Sequence, residues 1–230
     1  MKVLSIDTSN YVLGIAITDG DKVVGEFITN LPKNHSVRAM PAIEQLLTEC
    51  GMKPNDVEKI VVAKGPGSYT GVRIGVTIAK TLAWSLQIPL VGVSSLEVVA
   101  ANGRYFNGCL VPIFDARRGQ VYTGLYKYEE QKLVCVEVDQ IVLLADWLSE
   151  LKRKETPVLF IGNDVTIHEE KIKTELADLA YVAPYTDWNP RPSELAMLGM
   201  NKEPEDVHSF VPNYIRLAEA EANWLGKRQG

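Results

Sequence analysis

The sequence predicts an α/β protein built from two tandem halves, residues 1–103 and 104–230. Three features carry that expectation. Three β-rich segments in a row open the chain, helical periodicity then alternates with short apolar strands, and the same order restarts after Asn102-Gly103.

In the first half, Val3 to Asp7, Val12 to Thr18 and Lys22 to Ile28 read as a β-meander. β-branched residues recur in each, and Asp19-Gly20-Asp21 supplies a hairpin turn. From His35 to Cys50 the period becomes helical. Ala39, Met40, Ile43, Leu46, Leu47 and Cys50 share one face, Val37, Pro41, Glu44 and Thr48 the other, and Gly51 stops the helix. A strand from Lys59 to Ala63, a glycine-rich loop, a helix from Val72 to Leu86 and a strand from Pro89 to Val93 follow. The next helix opens on Ser94, with Glu97 placed to complete a capping box.

The second half repeats the pattern with strands Leu110 to Phe114, Gly119 to Tyr128 and Lys132 to Val138. A helix at Asp146 to Lys152, a strand at Pro157 to Ile161, a helix at Thr166 to Leu179 and a strand at Tyr181 to Ala183 complete it. Two further helices are expected at Ser193 to Asn201 and Ile215 to Lys227. In both copies the first strand ends in an aspartate at a turn, Asp7 and Asp115. This order describes paired ribonuclease-H-like (ASKHA) domains, the architecture of actin, sugar kinases and chaperone ATPases. Fold at that level fixes no function.

The chain is 46% apolar, enough for a sizeable core, and carries 24 basic against 29 acidic residues for a net charge of -5. That balance opposes a phosphate backbone except where cations cluster, as at Arg117-Arg118 and Lys152-Arg153-Lys154. Strong binding of nucleic acid by the chain alone is therefore not expected. Cys50, Cys109 and Cys135, odd in number and set in apolar stretches, read as reduced core thiols. No basic-then-apolar leader is evident, and no run approaches the ~18 to 20 apolar residues that cross a bilayer. A soluble cytoplasmic protein is expected.

The run Gly65-Pro66-Gly67-Ser68-Tyr69-Thr70-Gly71-Val72-Arg73-Ile74-Gly75 follows a buried strand and opens a helix. Backbone amides there could cradle an anion, with Asp7, Gly65, Gly67, Gly71 and Asp115 as the remnants of a phosphate site. The run is not a Walker A loop, since no Lys-Ser/Thr follows Gly71. A tight turn and close helix packing explain the same glycines equally well. Asp7 and Asp115 could face each other across an acidic cleft, where two carboxylates without a metal-phosphate partner would repel one another, or could serve only as turn and cap residues.

GPGSYTGVRIG, together with IDTS near the start, His35 before a helix carrying Pro41, GVSSLE at Gly92 to Glu97, DAR at Asp115 to Arg117 and P-x-Y-x-R at Pro212 to Arg216, resembles the TsaB family. The motifs span nearly the whole chain. The resemblance implies a non-catalytic subunit that holds a TsaD-type catalytic paralogue. With a TsaE-type ATPase, that assembly would make threonylcarbamoyladenosine beside the tRNA anticodon, and tRNA would be met only through the complex. The paralogue holds its metal with the two histidines of Gly-Val-Asn-His-Leu-Glu-Ala-His; here the matching positions are Ser95 and Val99. A hydroxyl and an isopropyl group cannot replace two imidazoles. His35, His168 and His208 have no ligand spacing, so no metal is expected.

Nucleotide binding also reads as eroded, because only Gly162 stands where actin-like ATPases usually carry paired glycines. Any ATP or ADP is expected at the junction with the catalytic partner rather than on this chain alone. On a helical wheel, Gly75, Ile78, Ala79, Leu82 and Leu86 point one way and Thr77, Lys80, Thr81 and Trp84 the other. Val37, Pro41, Glu44, Thr77, Lys80, Thr81 and Trp84 are thus the expected docking patch. The resemblance implies that this face contacts the paralogue and, in isolated chains, a second copy. The competing reading is an independent actin-fold ATPase or kinase, or a metallopeptidase, which the missing histidine pair disfavours.

Overall fold

The computed structural model describes residues 1–31 and 33–215 and contains two five-stranded mixed sheets. The first sheet is formed by β1 (Lys2–Asp7), β2 (Val12–Asp19), β3 (Lys22–Asn30), β4 (Lys59–Ala63) and β5 (Leu90–Val93), in the order β3-β2-β1-β4-β5. The second is formed by β6 (Cys109–Asp115), β7 (Gln120–Glu129), β8 (Lys132–Leu143), β9 (Val158–Ile161) and β10 (Ala180–Val182), in the order β10-β9-β6-β7-β8. Read from β8, the second order repeats the first. In each, the first three strands run antiparallel, the fourth pairs parallel to the first, and the fifth pairs parallel to the fourth. The internal repeat seen in the sequence is therefore a repeat of the fold.

Among the described residues, six α-helices cover these sheets: α1 (His35–Glu49), α2 (Tyr69–Leu86), α3 (Ser95–Ala100), α4 (Leu144–Arg153), α5 (Val165–Leu176) and α6 (Pro192–Met200). α1 and α2 lie on one face of the first sheet, over a core that includes Ile6, Leu13, Ile15, Ile60 and Val62. α4 and α5 cover one face of the second sheet around Trp147 and Phe160. α3 joins the halves, because its Val98 packs with the first sheet and its Leu96 and Val99 with β6 and β7.

Segment 192–213 falls in the second half of the sequence but packs on the first sheet. α6 sits against β1, β2 and β4, where Ser5 Oγ donates to the Pro192 carbonyl at 2.6 Å. Beyond it, Glu205 pairs with Leu90 as an isolated β-bridge, and its carboxylate receives Lys64 Nζ at 3.0 Å and the Gly92 amide at 3.1 Å. Phe210 enters the core over Gly92, which leaves no room there for a side chain. The chain thus returns to brace the sheet on which it began. The helix expected from Ile215 to Lys227, and with it Arg216, lies outside the described residues.

Several sequence expectations need correction. β8 runs to Leu143 rather than stopping at Val138, because the polar Asp139 that interrupts its apolar pattern has buried partners. α2 starts at Tyr69, three residues early, since the Ser68 side chain caps it by accepting from the Gly71 amide. Its buried stripe is Val72, Gly75, Val76, Ala79 and Ala83, so Ile78, Leu82 and Leu86 are only half-buried. In α1, Met40 is exposed and Ala42 takes the inward place. Ser94 caps α3 through the amides of Leu96 and Glu97, while the Glu97 carboxylate reaches Lys202 instead of closing a box. All three cysteines are free, but Cys135 is exposed rather than core.

Asp139 makes a pH-dependent brace between the halves. Its carboxylate accepts from Ser94 Oγ at the cap of α3 and from the Tyr126 hydroxyl. Burial pushes its carboxyl above the ordinary range, and the two hydrogen bonds only partly oppose that. The folded chain thus holds this proton more tightly than the unfolded chain does. Stability contributed here must fall as pH rises from the ordinary carboxylate value through the raised one. Asp139→Asn is expected to shrink that slope in urea midpoints measured between pH 4 and 7, and an unaltered slope would contradict the assignment.

Candidate functional site

A cleft of about 920 Å³ opens between the halves, lined by the β1–β2 turn, the start of α1, the glycine loop, the β6–β7 hairpin and the end of the returning segment. The glycine loop forms its floor. Gly65-Pro66 is a cis peptide, and Gly65 itself has φ +101°. The loop is held to the β1–β2 turn by the Ser68 amide donating to the Ser9 carbonyl at 2.7 Å and by Thr8 Oγ1 donating to the Gly71 carbonyl at 2.7 Å.

The approach is close enough to explain the glycines. A Cβ on Gly67 would lie 2.2 Å from the Ser9 carbonyl oxygen, and one on Gly71 2.2 Å from that of Thr8. The space a phosphate would need beside these glycines is filled by the chain's own backbone. The amides of Gly65, Ser68 and Gly71 are also bonded, to Ser95 Oγ, the Ser9 carbonyl and Ser68 Oγ respectively. Packing therefore accounts for this loop better than an anion cradle does.

Asp7 does not line the cleft that Asp115 lines. Asp7 is fully buried, and its Oδ1 accepts from the amide and the hydroxyl of Ser9 at 2.8 and 2.7 Å. Burial raises its carboxyl pKa, against the lowering effect of those bonds and of His35 nearby. Its Oδ2 has no partner among the described residues. Only Asp115 reaches the cleft, where its Oδ1 pairs with His168 Nε2 at 3.1 Å and its amide donates to Asp164 Oδ2 at 2.9 Å. Burial raises the Asp164 carboxyl as well.

Nor is the cleft acidic. Lys33, Arg117 and Arg118 line it against Asp115 and Asp164, so the lining carries more cations than carboxylates. Of the expected phosphate residues, Gly67, Gly71 and Asp115 line the cleft, whereas Asp7 and Gly65 lie behind it. Gly162 has φ +127°, and a Cβ there would meet the Ile113 carbonyl at 2.7 Å, so the β9–α5 turn requires it without any ligand.

The sequence reading missed the Asp115–His168 pair. Its one available signal was that Asp164 and His168 stand four apart at the start of a helix, on one face. His35 is buried. Its Nε2 lies 2.7 Å from the Asn10 carbonyl, and Asn34 caps α1.

The two positions that match the paralogue's metal histidines are structural. Ser95 is fully buried, its Oγ accepting from the Gly65 amide at 3.1 Å and its own amide donating back to the Gly65 carbonyl at 3.0 Å. Val99 fills the seam between the sheets. Among the described residues no group of three His, Cys, Asp or Glu side chains could hold a metal ion. No helix among them is long and apolar enough to cross a membrane.

On the outer face of α1 and α2, Val37, Pro41, Glu44, Thr77, Thr81 and Trp84 are exposed, with Trp84 58% and Val37 69% accessible. Lys80 is not directed outward with them. Its Nζ donates to the carbonyls of Phe210 and His208, at 2.7 and 3.1 Å, and ties α2 to the returning segment. Exposed Met40 adds apolar surface to this face.

Paired sheets of matching strand order around a cleft define a tandem ribonuclease-H-like protein of the ASKHA class. Residues 22–224 match the family model described as TsaD, tRNA N6-adenosine threonylcarbamoyltransferase. The chain is 62% identical, over 98% of both lengths, to the tRNA threonylcarbamoyladenosine biosynthesis protein TsaB of Bacillus subtilis. It is 33% identical to the Escherichia coli protein of the same description, over 65% of each chain. A solved Pseudomonas aeruginosa structure described as similar to peptidase YeaZ superposes with TM-score 0.77 at 22% identity, covering 94% of this chain and 99% of that one. The chain belongs to the TsaB family.

Proposed function

We propose that this chain is the non-catalytic subunit of a threonylcarbamoyl transferase acting on the tRNA adenosine next to the anticodon. It holds and activates a TsaD-type catalytic paralogue, with a TsaE-type ATPase completing the assembly. The observation that carries this reading is the contrast between its two conspicuous surfaces. Where a catalytic paralogue would bind metal, Ser95 and Val99 are buried in packing and hydrogen bonding. On the outer face of α1 and α2, by contrast, a tryptophan and several aliphatic side chains stand uncovered beside small polar residues.

Exposed apolar surface organised on two adjacent helices suits helix-on-helix docking. The chain's relatives are named for tRNA threonylcarbamoyladenosine biosynthesis, which supplies the reaction. The same face can serve a second copy when the paralogue is absent, so a homodimer is expected of the isolated chain. ATP or ADP would then bind at the junction with the paralogue, since the glycine loop is filled by Thr8 and Ser9. Sedimentation velocity of an equimolar mixture with the paralogue should show one boundary heavier than either protein alone. Two independent boundaries would refute the docking role.

A further inference from the structure

We propose that the cleft between the two halves is a contact site for unpaired RNA, stacking a base against its tyrosines and taking backbone phosphate on its arginines. Four tyrosines line it, half-buried Tyr122 of β7 and three more exposed ones from separate elements: Tyr11 of the β1–β2 turn, Tyr69 at the start of α2 and Tyr214 at the end of the returning segment. Of these, Tyr11 is 71% exposed, and Tyr69 and Tyr214 are also exposed. The Tyr69 and Tyr214 rings lie 5.2 Å apart with an interplanar angle of 32°. The Arg73 guanidinium lies 5.1 Å from the Tyr69 ring centroid and donates to the Tyr69 hydroxyl at 3.0 Å. Exposed aromatic faces backed by arginine are the surface on which unpaired bases stack, tolerant of sequence because every base has a π-face.

The opposite wall supplies charge. Arg117 and Arg118 occupy the β6–β7 hairpin tip, where both have left-handed backbone, φ +65° and +54°, followed by Gly119 at +74°. Here the turn sets two exposed arginines at the cleft, with Lys33 on a third side.

A free nucleotide suits the cleft less well. Its phosphates would call on loop amides that Ser95, Ser9 and Ser68 already occupy. Arginines at the mouth can grip a phosphodiester without those amides. The overall charge of -5 keeps such a contact weak in the isolated chain, consistent with one that matters mainly within an assembly. The choice of RNA rests on the function proposed above.

The test uses the full chain, a fluorescent anticodon stem-loop RNA with bromouridine in its loop, and about 50 mM salt, where phosphate contacts are strongest. Saturable binding is expected, with ultraviolet crosslinks mapping to peptides that contain Tyr11, Tyr69 or Tyr214. The Arg117→Ala, Arg118→Ala double variant should lower the slope of log affinity against log salt by about 1.4, at roughly 0.7 per phosphate contact. Tyr69→Ala should weaken binding at least about fivefold. Absence of saturable binding, crosslinks elsewhere, unchanged slope and affinity in the variants, or full displacement by ATP would each overturn the proposal. Failure here with paralogue binding intact removes only the RNA site. RNA binding that survives the loss of paralogue binding removes only the docking role.

Discussion

Trp84→Ala should weaken binding to the TsaD-type paralogue by about 30-fold or more while leaving the fold of this chain intact. Trp84 is 58% exposed on the outer face of α2, so its removal opens no cavity and should change stability by no more than about 0.5 kcal/mol. A tryptophan that anchors an interface contributes about 2 kcal/mol or more, and that converts to the stated change in affinity. Thr77 and Thr81, exposed on the same side, are small enough to let another helix approach. Self-association of the isolated chain should weaken in parallel, because the same face is used. Isothermal titration with the paralogue, alongside urea unfolding of the variant, separates the two quantities. Unchanged affinity would show that Trp84 is a surface residue of no consequence for docking.

Gly71→Ala should destabilise the chain by about 3 kcal/mol. Two effects oppose each other, and their sizes decide the sign. Alanine favours a helix over glycine by about 1 kcal/mol, and Gly71 lies within the first turn of α2 with no positive φ to penalise a side chain. Against that, the new methyl carbon would sit 2.2 Å from the Thr8 carbonyl oxygen. Neither partner is a flexible side chain that can swing away. Thr8 is buried at the end of β1, and Thr8 Oγ1 grips the Gly71 carbonyl. Relief requires α2 to shift from the β1–β2 turn, at a cost at or beyond the upper end of the roughly 1–3 kcal/mol typical of overpacking. The urea midpoint of the variant reports the balance. A variant as stable as the parent would mean that the loop is soft and that its glycines are not there for packing.

Much of this architecture was legible because the strands announce themselves. β4, with the run Lys59-Ile60-Val61-Val62-Ala63, lies where its apolar run predicts, and the restart after Asn102-Gly103 revealed the second sheet. What local patterning could not show was which side of a helix meets the protein when both sides carry apolar residues. In α2 the small residues Gly75, Ala79 and Ala83 make the close contact, while the larger Ile78 and Leu82 remain half-open, the reverse of what hydrophobicity alone suggests. Lys80 read as outward on the wheel, yet its partners are carbonyls nearly 130 residues away. The glycine loop illustrates the same limit. Its spacing is compatible with an anion cradle or with close packing, and only the position of Ser9 and Thr8 distinguishes them. Asp7 and Asp115 occupy equivalent places in the repeat, but one is sealed behind Ser9 and the other opens to solvent beside His168.

These differences bear on one claim, that the chain acts by holding a partner rather than by turning over substrate. The most direct measurement is threonylcarbamoyl transfer to tRNA by this chain alone, by the paralogue alone, and by the two with the TsaE-type ATPase. Transfer that appears only when all three are mixed is the predicted result. Transfer by this chain alone, or full transfer without it, would contradict the account.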